Sequence, residues 1–154
     1  MRNETLQELS EHFMVIIPLL QRQVFDKVAL PDSVPKRLPP ASFRVLMLVY
    51  EMGSAIVSDI SSRLKISRSN MSPLLDKLEK HQMITRNVSE NDRRNVLIEI
   101  APAGEELCRS CHDQMSQRFK EMLTGLEDQD LSELSHHMAK FKSILIKASG
   151  EDRL

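Results

Sequence analysis

Tryptophan is absent from this 154-residue chain, tyrosine occurs once, and aromatic residues make up only 4%. A core without large rings must be filled by aliphatic side chains and by the nine methionines, which suits helix packing better than a β-sandwich. Glycine is scarce too: four residues leave little for a loop that cradles a nucleotide. No glycine-rich phosphate motif, no G-x-S-x-G elbow and no H-E-x-x-H pair occurs, so no catalytic residue, metal or cofactor is expected. No apolar run approaches the length of about 20 residues that spans a bilayer. The N-terminus carries Glu4 and Glu8 where a signal peptide would be basic. A cytoplasmic protein with no membrane partner is the expectation.

What the chain does contain is a folded composition, 41% apolar and 28% charged, in one domain or a small module with added helices. The stretch from Ile56 to Pro102 is the most informative. Val57, Ile60 and Leu64 have the spacing of a helix with one buried face. Met71, Leu74, Leu75 and Leu78 repeat that spacing, and Met83 and Ile84 extend the run. A polar turn over residues 89–95 then leads into Val96, Ile98 and Ile100, which alternate as in a strand over a core. Helix, tight turn, helix and a hairpin tipped by Arg93 and Arg94 make a device for holding duplex DNA by both grooves.

The flanks are helical. Leu6, Leu9, Phe13, Ile16, Ile17, Leu20 and Val24 stripe a segment from residue 4 to about 29, which Pro18 should kink. Four prolines between Leu30 and Pro40 predict a connector, and Pro39-Pro40 suits the first turn of a helix that stops at Met52-Gly53. Beyond the hairpin, Pro102 opens a long helix striped by Leu107, Cys111, Met115 and Phe119. Gly125 and Asp128 mark a break before a last helix from Asp130 to Ala148, with Leu131, Leu134, Met138, Phe141, Ile144 and Leu145. A DNA-reading head of about 65 residues makes its own core, so the three long helices need another surface to cover. A second copy of the chain supplies one, and paired heads read paired half-sites.

The expected fold is therefore mainly α (α+β): a winged helix-turn-helix head over 39–104 with a small β-hairpin wing. Residues 1–38 form an N-terminal dimerisation helix and connector, and residues 105–154 form C-terminal dimerisation helices. A net charge of −1 hides an uneven distribution. Between Arg63 and Arg94 there are eight Lys/Arg against four Asp/Glu, whereas Glu99 to Glu133 holds three against nine. Phosphate attraction acts within a Debye length of about 8–10 Å, so a locally basic module binds DNA despite a neutral whole.

Side-chain chemistry selects the contacts. Ser67 is a good N-cap for a recognition helix starting at Arg68, which puts Arg68, Ser69, Asn70 and Ser72 near base edges. Arg68 suits guanine or phosphate, Asn70 pairs bidentately with adenine, Ser69 and Ser72 serve either role, and Lys77 suits phosphate. Pro73 is awkward inside that helix, and the alternative is a start at Ser72 with Pro73 as its first residue. Arg93 and Arg94 suit a narrow minor groove, with Asp92 as wing support. A surface ion pair between Asp92 and Arg94, worth about 0–1 kcal/mol, is the plainer reading.

Residues 38–104 resemble the MarR family of bacterial transcription regulators. The specific part is Asp92-Arg93-Arg94 followed by the strand Val96–Ile100 and then Ala101-Pro102-Ala103-Gly104, similar to the family's wing signature of Asp-x-Arg, a strand and Leu-Thr-x-x-Gly. Leu38–Leu46 and Leu78–Arg86 support it. Gln82 stands where the family usually has Gly, Ala101 replaces Thr and Ile100 replaces Leu. The resemblance implies a repressor that binds a pseudo-palindromic operator as a homodimer and is released by a small-molecule or redox signal. It also implies an effector pocket where the head joins the dimer helices, for which Phe13, Ile17, Leu107 and Cys111 are the candidates.

Two alternatives stand beside this reading. One is a winged-helix protein-interaction module without sequence-specific DNA binding. The other is a thiol or metal sensor built on Cys108, Cys111 and His112, which spell the C-x-x-C-H of covalent haem attachment. That spacing puts the three on neighbouring rows of one helix face, while the plainer reading is a core Cys111 and a surface Cys108. Adjacent His136 and His137 should point apart and make a poor chelate.

Overall fold

The computed structural model describes residues 1–29, 38–88 and 96–150. They form two compact units, residues 29–113 and residues 1–28 with 114–154. In the first unit, α2 (Pro40–Met52) begins with Pro39 as its extended cap and Pro40 in its first turn. It ends at Gly53, whose φ of 74° is a left-handed value that glycine reaches without strain. Val45, Leu46 and Val49 are its buried face.

A short strand, β1 (Ser54–Ile56), follows at once, then α3 (Val57–Leu64) and α4 (Arg68–Lys80). β2 (Ile84–Val88) and β3 (Val96–Ile100) are antiparallel, with Ile84 opposite Ile100 and Val88 opposite Val96. β3 lies between its neighbours, because β1 pairs on its other edge with Ala55 opposite Ile98. Of the three alternating residues expected over the core, Ile98 is fully buried while Val96 and Ile100 are half-buried. Ile60, Met71, Leu75, Leu78 and Ile98 fill the core, aliphatic and Met-rich as the missing rings require.

One expectation needs correction here. Met83 and Ile84 do not extend the second head helix, although their spacing fits it. Gln82 takes φ 56°, the Met83 amide reaches back to the Leu78 carbonyl at 2.9 Å, and the Gln82 amide to Glu79 at 2.8 Å. This paired return ends the helix, and Ile84 starts a strand instead. The same closure ends α3: Ile66 bonds to Ser61 at 3.0 Å and Lys65 to Ser62 at 3.3 Å, with Lys65 at φ 53°.

The first part of α5 (Pro102–Leu123) belongs to this unit and buries Gly104, Leu107, Cys108 and Cys111. The second unit holds α1 (Arg2–Gln23), a 3-10 turn at Phe25–Lys27, the rest of α5, and α6 (Asp128–Ser149). The first helix stops at Gln23, short of the expected residue 29, and it stays helical through Pro18. Large apolar side chains of α1 and α6 are exposed, among them Leu6, Leu9, Phe13, Phe141, Ile144 and Leu145. No described helix is long and apolar enough to cross a membrane.

Candidate nucleic-acid interface

The start of α4 is set by Ser67. Its extended backbone and its Oγ, which accepts the Asn70 amide at 3.4 Å, make it the N-cap. The later start at Ser72 is thereby excluded, and Pro73 sits inside the helix on its exposed side. Proline there removes only the bond to the Ser69 carbonyl, on a side open to water.

Met71, Leu75 and Leu78 anchor α4 in the core. With that face fixed, Arg68, Ser69, Asn70, Ser72 and Lys77 are all exposed, and none is needed to hold the head together. Arg68 and Ser72, four apart, share one flank; Asn70 and Lys77, seven apart, share another. Arg68 and Ser72 also line a concavity of about 330 Å³ with Val57, Ser58, Leu75, Arg86 and Val96. The last turn of α3 adds exposed Arg63, and the turn before α4 adds exposed Lys65. Asp92, Arg93 and Arg94 lie outside the described residues.

One basic side chain was misjudged from the sequence. Arg86 counted there as part of the basic excess, but it is half-buried and paired with acids of α4. Its Nη2 donates to Asp76 Oδ1 at 2.5 Å, and its Nε lies 3.1 Å from Glu79 Oε2. The signal was present as two acids three residues apart on α4, followed by an arginine on the next strand. Beside it, Asn87 donates to Glu99 across the hairpin.

The sulfur site fares differently from its spacing. Cys108 is fully buried and Cys111 nearly so, which corrects the surface placement of Cys108. Burial, with Cys111 and then Glu51 adding to it, pushes the Cys108 thiol up from 9.0 to about 12. Burial raises Cys111 as well. His112 points outward beside Asp113, with Nδ1 3.7 Å from its Oδ1. The helix thus turns both sulfurs inward and the imidazole away, and no group of metal-ligating side chains forms among the described residues. His136 and His137 do not diverge as expected: their rings meet edge to face with centroids 5.7 Å apart.

The four candidate effector residues differ sharply in environment. Leu107 and Cys111 are packed in the core of the head unit, whereas Phe13 and Ile17 are exposed on α1 of the other unit.

With this geometry in view, comparisons with known proteins carry weight. The family model described as MarR family matches residues 38–96. The HTH-type transcriptional regulator YfiV of Bacillus subtilis (strain 168) is 33% identical over 87 residues, which cover 56% of this chain and 54% of YfiV. The chain therefore spans about half the length of that relative. Among solved structures, a MarR family protein from Bacillus stearothermophilus has a TM-score of 0.75 at 19% identity, covering 94% of this chain and 98% of that one. Streptococcus pneumoniae FabT in complex with DNA has a TM-score of 0.69 at 18% identity, covering 92% and 98%. At such identities these two likenesses establish the fold alone.

Proposed function

We propose that this chain, a member of the MarR family through its residues 38–96, is a transcriptional repressor that grips a pseudo-palindromic operator as a homodimer. The observation that carries this reading is the start of α4. A capped helix anchored by three buried side chains presents Arg68, Ser69, Asn70 and Ser72 outward, where folding has no use for them. Donors and acceptors held rigidly at a helix N-terminus suit the major groove. FabT, whose fold this chain shares, has been solved in complex with DNA, which supports the same use of the head here.

Dimer formation is supported by the apolar faces of α1 and α6. The exposed strip of α6 that carries Met138, Phe141, Leu145 and Ile146 is more apolar than a monomer needs on its surface. A second copy offers the same surface in return, the self-complementary contact of a two-fold pair. Domain roles follow: residues 39–104 read DNA, and residues 1–38 and 105–154 pair the chains. Release is assigned to a small molecule rather than to thiol oxidation. Buried thiols with raised pKa values hold little thiolate, the form that reacts with oxidants.

The test is a salt titration of duplex binding by the wild type and by a variant with Arg93→Ala and Arg94→Ala. Wild-type affinity should fall log-linearly with salt, and the double variant should bind more weakly with a flatter slope. A folded double variant that keeps full affinity at physiological salt would move the wing away from DNA. The protein-interaction reading would then lead.

A further inference from the structure

Arg86 stands on β2 opposite Ile98, whose side chain is fully buried, so its base is fixed in the sheet. From there one guanidinium reaches two carboxylates of α4: Asp76 at 2.5 Å and Glu79 at 3.1 Å. The Arg86 side chain is 23% exposed, against 63% for Asp76 and 49% for Glu79, so the cation is the enclosed member of the trio. Asp76 and Glu79 continue the flank of α4 that begins with Arg68 and Ser72.

Two consequences follow. A planar guanidinium fork, hydrogen-bonded to Asp76 through Nη2 and ion-paired with Glu79 through Nε, resists sliding or rolling of α4 against the wing strand. It also offsets one of the two negative charges on a helix that must approach phosphates, leaving the trio at a net −1 instead of −2. Released, those charges would repel a duplex across a Debye length of about 8–10 Å.

We propose that Arg86 is a positioning residue for DNA recognition, acting through Asp76 and Glu79 rather than by touching the duplex. It fixes the recognition helix relative to the wing and offsets one of the two acidic charges. A head that holds its two reading elements in register before binding loses less freedom on docking. This rests on the DNA-binding reading above and deepens it.

The test is a mutant cycle read in DNA affinity. Wild-type protein selects a preferred duplex from a random pool, and affinity and salt slope are measured for R86Q, for D76N/E79Q and for all three changes together. R86Q alone should weaken the selected duplex by about 10-fold or more, and by less than about 3-fold once both acids are gone, because coupled residues are non-additive. The salt slope should not change between D76N/E79Q and the triple variant. An equal loss in both backgrounds, with the slope reduced by about one, would make Arg86 a direct phosphate contact and overturn the proposal. Full affinity of R86Q would overturn it too. If R86Q does not fold, R86K keeps the charge without the fork. It should still lose affinity for the selected duplex and keep its affinity for random duplex; unchanged binding to both would count against the brace. Wild-type protein that enriches no sequence and shows no salt dependence would sink the DNA-binding reading itself, and Arg86's role with it.

Discussion

Replacing Gly104 with alanine should destabilise the head, although alanine is the better helix former. Gly104 lies in the first turn of α5, where a Cβ would sit 2.1 Å from the Met83 carbonyl oxygen and 3.0 Å from both Ile100 Cδ1 and Leu46 Cδ1. Carbon–oxygen contacts are comfortable at about 3.3–3.6 Å, so helix or carbonyl must withdraw by more than about 1 Å. The carbonyl has little freedom to do so. It accepts the Ala101 amide at 2.9 Å and belongs to the turn that closes α4 through the Met83 amide. Losing that bond costs about 0.5–1.5 kcal/mol, and forced repacking about 1–3 kcal/mol. Against this, alanine gains about 0.8–1.0 kcal/mol of helix propensity. The net expectation is a loss of about 1–3 kcal/mol. Urea unfolding at one fixed protein concentration measures it, since dimer dissociation would otherwise enter the midpoint. Gly125→Ala is the control: an added Cβ there meets nothing within 4 Å and should be neutral or slightly stabilising. A Gly104→Ala protein as stable as the wild type would refute the close-approach account.

Asn70→Ala should cost about 1–3 kcal/mol on the preferred duplex with little change on random duplex, whereas Lys77→Ala should weaken both alike; fluorescence anisotropy on the two duplexes separates them. Leu145→Glu should convert a species of twice the 17.7 kDa chain mass into monomer in sedimentation, because a charge desolvated in an apolar interface has no partner. Dimer persisting in that variant would remove α6 from the interface. Cys108 has a folded-state pKa raised from 9.0 to about 12, so the unfolded chain loses its thiol proton first. Stability from this group is complete below pH 9.0 and is lost as pH rises toward about 12, visible as a falling urea midpoint.

Caps and breaks were legible in the sequence because their chemistry is local. Ser67, Pro40 and Gly53 each set a helix end through their own backbone or side chain, and each does so in the structure. What depends on distant residues was not legible. β1 has three residues, too few for alternation, and exists only because Ser54–Ile56 meets Leu97–Glu99 more than 40 residues later. Met83 and Ile84 continued a helical spacing past the true end, since periodicity records burial and both are buried, in a turn and a strand. Cys108 looked like a surface residue because the stripe was drawn through Leu107 and Cys111 and passed it by. The head buries a broader arc of α5 that takes in Cys108 beside them. Arg86 shows the limit of counting charges: a sum along the chain cannot tell a cation that faces phosphate from one already clasped by two acids.

The shortage of glycine has a structural consequence on both sides of α4. Two left-handed helix ends flank it, and each is filled by a residue with a Cβ, Lys65 before it and Gln82 after it. Such a residue pays roughly 1–2 kcal/mol relative to right-handed backbone, a cost glycine avoids. Both turns still close with the paired amide returns to Ser61 and Ser62 and to Leu78 and Glu79, so the hydrogen bonds override the local preference. At Lys65 there is partial compensation, because a cation at the C-terminus of α3 meets the negative end of the helix dipole. That same exposed lysine sits on the turn entering the recognition helix, where a glycine would bring no charge to the phosphates. Backbone ease is traded there for a cation on the turn that the proposed function directs toward DNA. Gln82 has no such charge to offer, and its turn is held instead from outside, by the Ala101 amide on the Met83 carbonyl and by the close approach of Gly104. The glycine missing from the end of α4 thus has a counterpart in the one kept at the start of α5.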